Sequence, residues 1–289
     1  MITLKGVFKK LDMFCMYDIS LNIPKGYIMG LIGVNGSGKT TLLNIILGLY
    51  GIDRGCVTRR NAKGEEVKLK EFMDKCGYVL HGDWFEGMLT FAENANLFGK
   101  YYTDYNYDTF VGLMNRFNLD VNRKYKDGSK GEKLKFQFAF AMSHDPDLLI
   151  LDEPTASFDP EFRQDFLKLI TEYVADGEHT VILATHITEE LDRIADYITF
   201  IDNGQIIFSL DKERLADEFR LVKGEEYKIK LIPKERVIYR ERGEYCATAL
   251  VRNSRYYRYD NDVTLSVPTL EDIMYYCIKG GAENVKIDN

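Results

Sequence analysis

The sequence GVNGSGKT, residues 33–40, decides the fold of this chain. It follows the apolar run YIMGLI (27–32) and leads into the apolar stretch TTLLNIILGL (40–49), which predict a buried strand and an interior helix. The spacing matches the pattern GxxxxGK[ST], in which glycines let backbone N–H groups wrap closely around phosphate oxygens. A glycine-rich turn that binds nothing is the alternative, and the lysine–threonine pair between strand and helix argues against it.

The same loop holds the predicted ligands of a nucleoside triphosphate. Lys39 is expected to reach the β- and γ-phosphates, and Thr40 to place its hydroxyl on Mg²⁺. The N-terminus of the following helix directs its partial positive charge at the anion. The predicted nucleotide-binding residues of this stretch are Gly33, Asn35, Gly36, Ser37, Gly38, Lys39, Thr40 and Thr41.

A second apolar strand, LLILD (148–152), ends in a pair of carboxylates, Asp152 and Glu153. Open α/β sheets bind ligands at the carboxyl ends of their strands, so Asp152 is the predicted protein partner of Mg²⁺. Glu153 follows immediately and is placed to polarise a water for attack on the γ-phosphate. Such a pair can also cap a helix, but its combination with the phosphate loop favours catalysis.

The rest of the pattern predicts an α/β fold with a mainly parallel sheet, an antiparallel β edge and a small α+β C-terminal appendage. TVILAT (180–185) is another buried strand, and 198–208 reads as a hairpin around Asn203-Gly204. Residues 83–146 are mainly helical and predict an insertion.

We therefore expect a main domain at 1–208 and an accessory domain at 209–289. Within the latter, 211–224 predicts a helix, 227–231 and 263–267 predict strands, and Thr269 caps a final helix.

Composition excludes several classes of protein. Hydrophobic residues make up 45% and charged residues 29%, as in ordinary globular chains, and no apolar run reaches the roughly 18 residues of a membrane helix. The N-terminus shows no secretory signal. The five cysteines lack a CxxC pair, which favours reduced thiols used in packing. A net charge of −7 argues against a nucleic-acid partner, although the basic-aromatic segment 255–259 is the alternative signal.

Four motifs in order resemble those of the ATP-binding cassette (ABC) family of P-loop ATPases, over residues 1 to about 208. GVNGSGKT resembles Walker A, LLILDEPTASFD (148–159) resembles Walker B with the D-loop, and His186 resembles the switch histidine. GSKGEKLK (128–135) lies where the family has its LSGGQ signature. The tail segments 249–253 and 268–276 are similar to those of bacterial exporter-type cassettes.

The resemblance implies a sandwich dimer with two ATP molecules, in which Ser129 and Gly131 of one copy face the nucleotide bound by the other. Glu153 and His186 would be catalytic, Asp159 would bridge the two copies, and ATP and Mg²⁺ are the implied cofactors. The position of the Q-loop glutamine holds His81, a weak candidate metal ligand beside Thr40 and Asp152. Phe14, with Phe8 as the alternative, is the candidate for stacking on adenine.

Two further departures lie in the signature, where Lys130 replaces a glycine and Glu132 a glutamine. They predict slow or asymmetric hydrolysis, whereas the intact Glu153 and His186 argue against a dead site. Trp84 is expected at the contact with a permease. The aromatic run that follows suits either that interface or an ordinary core: Phe98, Tyr101, Tyr102, Tyr105 and Tyr107.

The function that the resemblance implies is the ATP-hydrolysing subunit of an exporter. Its transmembrane permease would be a separate polypeptide, and the cassette would pair as a homodimer or as a heterodimer with a related chain. This places it in the cytoplasm, at the inner face of the cell membrane. A soluble ABC ATPase acting on DNA or ribosomes is the alternative, but too few residues separate Lys39 from Ser129 for a long coiled coil. A small-molecule kinase is disfavoured by the signature and the switch histidine.

Overall fold

A computed structural model describes residues 2–61, 63–80, 82, 84–252, 262–281, 285 and 287. The chain forms two compact units. The first comprises Met1–Met29 and Lys39–Thr185, and the second comprises Gly30–Gly38 and His186–Asn289. The predicted boundary at residue 208 stays a prediction. Two sequence predictions, on His81 and on the segment 255–259, lie outside the described residues.

Parallel strands form the centre of the first unit. They are β5 (Cys76–Val79), β6 (Leu148–Asp152) and β7 (Thr180–Ala184). A further strand, β3 (Ile28–Ile32), begins in the first unit and ends in the second. β6 and β7 are buried at every residue, and their register pairs Asp152 with Ala184. Because β5 and β6 are also parallel, their carboxyl ends meet at one edge, where Asp152 and Glu153 lie. The predicted α/β class with a mainly parallel sheet is confirmed.

An antiparallel sheet and several α-helices complete the described part of the first unit. The sheet has the order β2-β1-β4, made of β2 (Phe14–Ile23), β1 (Ile2–Leu11) and β4 (Arg54–Arg59). The helices are α1 (Lys39–Ile46), α2 (Leu69–Asp74), α3 (Phe91–Gly99), α4 (Tyr107–Arg116), α5 (Lys130–Met142) and α6 (Pro160–Val174). Helices α3 to α5 form the helical insertion. The predicted capping box of Thr90 and Glu93 opens α3.

Aromatic packing holds the insertion together. The rings of Phe91 and Phe136 stack with centroids 4.8 Å apart, and Phe85 meets Phe136 edge-on at 4.8 Å. Such pairs stabilise a core beyond the area that they bury. The aromatic run is divided between the core and the surface. Tyr102 stacks on the buried His144, whereas Tyr101 is exposed.

The second unit contains a hairpin and the appendage. β8 (Tyr197–Asp202) pairs with β9 (Gln205–Asp211) through a turn in which Asn203 and Gly204 both have positive φ, as predicted. The appendage sheet has the order β11 (Val237–Arg242), β12 (Ala247–Arg252), β10 (Phe219–Gly224) and β13 (Thr264–Ser266). The helices of this unit are α7 (Thr188–Ile194), α8 (Lys212–Glu218), α9 (Glu226–Lys230) and α10 (Leu270–Gly280).

Two predictions for the appendage are wrong. Residues 227–231 were expected to form a strand, but 226–230 form α9, because Ile229 and Ile232 are spaced to enter one core and Glu226 pairs with Lys230 one turn later at 2.6 Å. The helix predicted over 211–224 stops at Glu218. From Phe219 onward the chain pairs with β12 along its full length. The capping box of Thr269 and Asp272 at the start of α10 is confirmed.

Candidate functional site

The first element of the site is a direct link between α1 and the end of β6. The Thr40 hydroxyl donates a hydrogen bond of 2.7 Å to Oδ2 of Asp152. Asp152 is only 1% exposed, because it is the last residue of a strand that is buried throughout. A hydroxyl and a carboxylate oxygen are the ligands that Mg²⁺ takes beside nucleotide phosphates. The residues present therefore fit the predicted ion.

Lys39, the first residue of α1, is only 7% exposed. Burial lowers the pKa of its ammonium group, and the nearby carboxylates of Glu153 and Asp152 act in the opposite direction. A buried cation next to carboxylates, at a helix N-terminus, has the charge that a polyphosphate requires.

Glu153 occupies the turn after β6 in a left-handed conformation, with φ of 51°. Its main-chain N–H donates to the carbonyl of Ala184, the last residue of β7, at 2.8 Å. This conformation is uncommon for a residue with a side chain, and such residues cluster at functional sites. The hydrogen bond fixes Glu153 at the carboxyl edge of the sheet, as predicted.

The glycine-rich loop belongs to the second unit and is tightly folded. The Ser37 N–H donates to the Val34 carbonyl at 3.1 Å, and the Ser37 carbonyl accepts from Gly204 at 2.9 Å. A Cβ atom on Gly33 would lie 2.3 Å from the carbonyl oxygen of Ile201, so this position accepts only glycine. Gly36, with φ of 80°, makes the outer turn.

Ser37 provides an observation that points to an anion. The residue is only 2% exposed, and its Oγ has no hydrogen-bond partner among the described residues. A buried hydroxyl without a partner costs free energy, which a bound phosphate oxygen would recover. Asn35 and Gly36 are exposed, Gly38 is buried, and Thr41 is half-buried on α1. The loop thus fits a phosphate group.

The signature segment caps α5. Ser129 is the exposed N-cap residue, and its Oγ accepts from the N–H of Glu132. A Cβ atom on Gly131 would lie 3.0 Å from the carbonyl oxygen of Ser157, so the signature packs directly against the D-loop.

Asp159 ends that loop and caps α6 through a 2.9 Å hydrogen bond from Phe162 N–H. The hydrogen bond lowers the pKa of the Asp159 carboxyl.

The remaining candidate residues are the switch histidine and the two phenylalanines considered for adenine stacking. His186 is exposed in the loop between β7 and α7. Phe14 is half-buried at the start of β2, opposite Leu11. Phe8 packs against the ring of Tyr17 at 5.6 Å and lies under Arg54, so its ring face is already in use.

Sequence reasoning missed two arginines that hold these elements. Arg59 donates to the carbonyls of Ile45 and Ile46 at the end of α1, at 3.0 and 2.9 Å. Arg123 contacts Glu132 and the Asp127 carbonyl beside the signature. No periodicity or motif marks either residue, because both act through contacts between distant parts of the sequence.

The profile of the family described as ABC transporter matches residues 16–156. The chain is 29% identical over 221 residues to the ABC transporter ATP-binding protein YtrB of Bacillus subtilis (strain 168), covering 76% of this chain and 75% of that protein. It is 32% identical over 223 residues to the Nod factor export ATP-binding protein I of Rhizobium leguminosarum bv. viciae, covering 75% and 71%.

Solved structures agree on the fold. The dimeric structure of a bacterial ABC transporter cassette superposes with a TM-score of 0.65 at 23% identity, covering 73% of this chain and 98% of that one.

In the described residues of the chain, no helix is long and apolar enough to cross a membrane.

Proposed function

The chain belongs to the ABC transporter family of ATPases, and from this premise we propose that it is the ATP-binding and ATP-hydrolysing subunit of an exporter whose membrane permease is a separate polypeptide. The hydrogen bond of 2.7 Å between Thr40 and Asp152 carries the proposal, because it joins the two motifs that hold Mg²⁺ and phosphate in this family. The export direction is supported by the similarity to a Nod factor export protein.

In this proposal each side chain has one task at the nucleotide. The glycine-rich loop and Lys39 hold the β- and γ-phosphates, and the Thr40 hydroxyl and Asp152 carboxylate hold Mg²⁺. When bound, Mg²⁺ supplies charge neutralisation for the phosphates. Glu153 orients the attacking water as general base, and His186 donates to the γ-phosphate. Phe14 stacks on the adenine through the part of its half-buried side chain that is open to solvent.

A second cassette completes the site. The Ser129 hydroxyl and the N-terminus of α5 are exposed, so they can reach a nucleotide bound by another copy. Their partial positive charge would stabilise the γ-phosphate from the side opposite Lys39. The dimeric form of a structurally similar cassette supports this arrangement. The partner is an identical chain or a related cassette.

The permease would dock on the helical insertion. Trp84 is 63% exposed and Tyr101 is 77% exposed, beside a pocket that Leu49, Phe85 and Phe98 also line. Exposed aromatic residues around an apolar pocket are typical anchors of protein interfaces. A short helix of the permease on the cytoplasmic side would fill this pocket, which would hold the chain at the inner face of the membrane.

Co-purification from the native cell tests this function. The tagged chain, extracted in mild detergent, is expected to bring a polytopic membrane protein in stoichiometric amount. Trp84→Ala should weaken that complex, whereas Tyr245→Ala, at an 89% exposed aromatic residue of the appendage, should leave it unchanged. Recovery of ribosomes or nucleic acid without a membrane protein would contradict the proposal and favour a soluble ATPase.

A further inference from the structure

The signature of this chain contains a carboxylate that is tied to its serine. Glu132 Oε2 accepts a hydrogen bond of 2.8 Å from the Ser129 N–H, while Ser129 Oγ accepts one of 3.2 Å from the Glu132 N–H. The reciprocal pair is a capping box, which fixes both residues at the first turn of α5. It places a negative charge beside the hydroxyl that is proposed to meet the γ-phosphate.

Arg123 holds that carboxylate from the other side. Its Nη1 lies 2.5 Å from Glu132 Oε1, and its Nη2 donates to the Asp127 carbonyl at 2.6 Å. The main chain of Arg123 is itself fixed, because its carbonyl accepts from Phe91 N–H at the start of α3 at 3.0 Å. The guanidinium therefore bridges the signature carboxylate and the turn that precedes it.

The charge of Glu132 matters for an anionic ligand. The main-chain N–H of Ser129 is the largest influence on the pKa of this carboxyl and lowers it, so the group is ionised at neutral pH. An uncompensated carboxylate would repel the γ-phosphate and offset the favourable field of the helix N-terminus. Arg123 is the cation in direct contact with this carboxylate; Lys135, which lies over the ring of Phe162, also lowers the pKa of Glu132, but by a smaller amount.

We propose that Arg123 is a positioning residue for the signature serine: it keeps the Glu132 carboxylate on the Ser129 main chain and offsets its charge, so that the Ser129 hydroxyl can donate to the γ-phosphate of ATP bound to the partner cassette. This inference rests on the proposed function. It also connects two departures of this chain, because Arg123 offsets the charge that Glu132 introduces where the family has a glutamine.

Steady-state ATPase kinetics of the full-length chain test the proposal. Arg123→Ala should lower kcat/KM by about tenfold, as expected for one uncompensated charge near the phosphate. Binding of a fluorescent ATP analogue to the single protomer should stay unchanged, because Arg123 acts on the nucleotide of the partner. The control is Arg116→Ala in the same insertion, an exposed residue whose ion pair with Glu172 is long at 3.9 Å. It should behave as wild type.

A variant with both Arg123 and Glu132 replaced shows whether Arg123 acts by offsetting the charge of Glu132 or by holding the loop in place. Glu132→Gln keeps a side-chain oxygen for the Ser129 N–H but removes the charge, so Arg123→Ala combined with Glu132→Gln should recover kcat/KM to within about twofold of Glu132→Gln alone. If Arg123 only braces the loop, the double variant stays as slow as Arg123→Ala, and the proposal is wrong. The proposal is equally wrong if Arg123→Ala has no effect.

Two further measurements keep the test decisive. Should Arg123→Ala fail to fold, Glu132→Gln alone decides, because the proposal expects its kcat/KM to equal or exceed that of wild type, and a tenfold fall would overturn it. The wild-type chain is measured first. A wild type that neither hydrolyses ATP nor dimerises with it would overturn the proposed function itself, an outcome distinct from an active wild type that is insensitive to Arg123.

Discussion

The Thr40 hydroxyl donates a hydrogen bond of 2.7 Å to the carboxylate of Asp152, which joins the first turn of α1 to the end of β6. The two residues are 112 positions apart in sequence and belong to the same compact unit. Asp152 is buried, so its carboxylate is held by the sheet and can orient the hydroxyl before any ion arrives. The site is thus organised ahead of its ligands.

Removing the Thr40 hydroxyl should slow Mg²⁺-dependent hydrolysis. Thr40→Val keeps the shape of the side chain but removes the hydroxyl that donates to Asp152, and we expect kcat to fall by on the order of 10². Thr40→Ser, which keeps the hydroxyl, is the control and should retain most activity. The measurement is ATPase rate against Mg²⁺ concentration. A Thr40→Val enzyme with a normal Mg²⁺ dependence would disprove the role of this residue.

A methyl group on Gly131 should disturb the contact between signature and D-loop. The added Cβ would lie 3.0 Å from the Ser157 carbonyl oxygen, so Gly131→Ala should cost about 1–3 kcal/mol of unfolding free energy and slow hydrolysis. Gly112→Ala is the matched control, since that glycine lies in α4 with open space around it. The control should be neutral or stabilising by up to about 1 kcal/mol in denaturant unfolding. Equal effects of the two substitutions would refute the steric explanation.

The adenine-stacking residue can be identified by comparing two phenylalanines. Phe14→Ala should raise KM for ATP by roughly tenfold with little loss of stability, as expected for one stacking contact of about 1–3 kcal/mol. Phe8→Ala should instead lower stability, because Phe8 packs against Tyr17 and Arg54. Nucleotide titration and thermal unfolding of both variants distinguish the roles. The opposite pattern would reassign stacking to Phe8.

Acid should destabilise the first unit through His144. Burial lowers the pKa of this imidazole to about 4, and its ring stacks on Tyr102 at 3.9 Å. The unfolded chain therefore binds a proton from about pH 6.5 downward, while the folded chain does so only near pH 4. Stability is fully present above pH 6.5 and falls by about 3 kcal/mol between these values. Denaturant unfolding of wild type and His144→Gln across this range should show the difference in slope; identical slopes would contradict it.

The phosphate loop and the carboxylate edge could be predicted because their chemistry is local in sequence. Gly33, Lys39 and Thr40 are recognisable by spacing, and Asp152 by its place after a continuous apolar strand. The hairpin at Asn203 and the caps at Thr90 and Thr269 were predictable for the same reason, since turn and cap chemistry involves neighbouring residues.

Other features depend on contacts that spacing does not encode. Ile229 alternates with polar neighbours like a strand residue, yet its burial beside Val222 and Ala249 selects a helical turn. Arg123 belongs to no motif, and only the folded insertion brings its guanidinium to Glu132. The division of the aromatic run between core and surface was likewise decided by packing, since Tyr102 and Tyr105 both lie against the ring of Phe140.

Two cassettes are proposed to enclose ATP and to hydrolyse it with Glu153. Measuring the mass of the Glu153→Gln variant in solution, with and without ATP, tests this most directly. The amide keeps the size of the side chain but cannot act as a base, so hydrolysis should slow by on the order of 10² or more while binding persists. We expect a dimer that forms only with ATP and persists, whereas Glu161→Gln on α6 should turn over normally. A Glu153→Gln variant that hydrolyses ATP at the wild-type rate, or stays monomeric with ATP bound, would contradict both the role of Glu153 and the ATP-bound dimer.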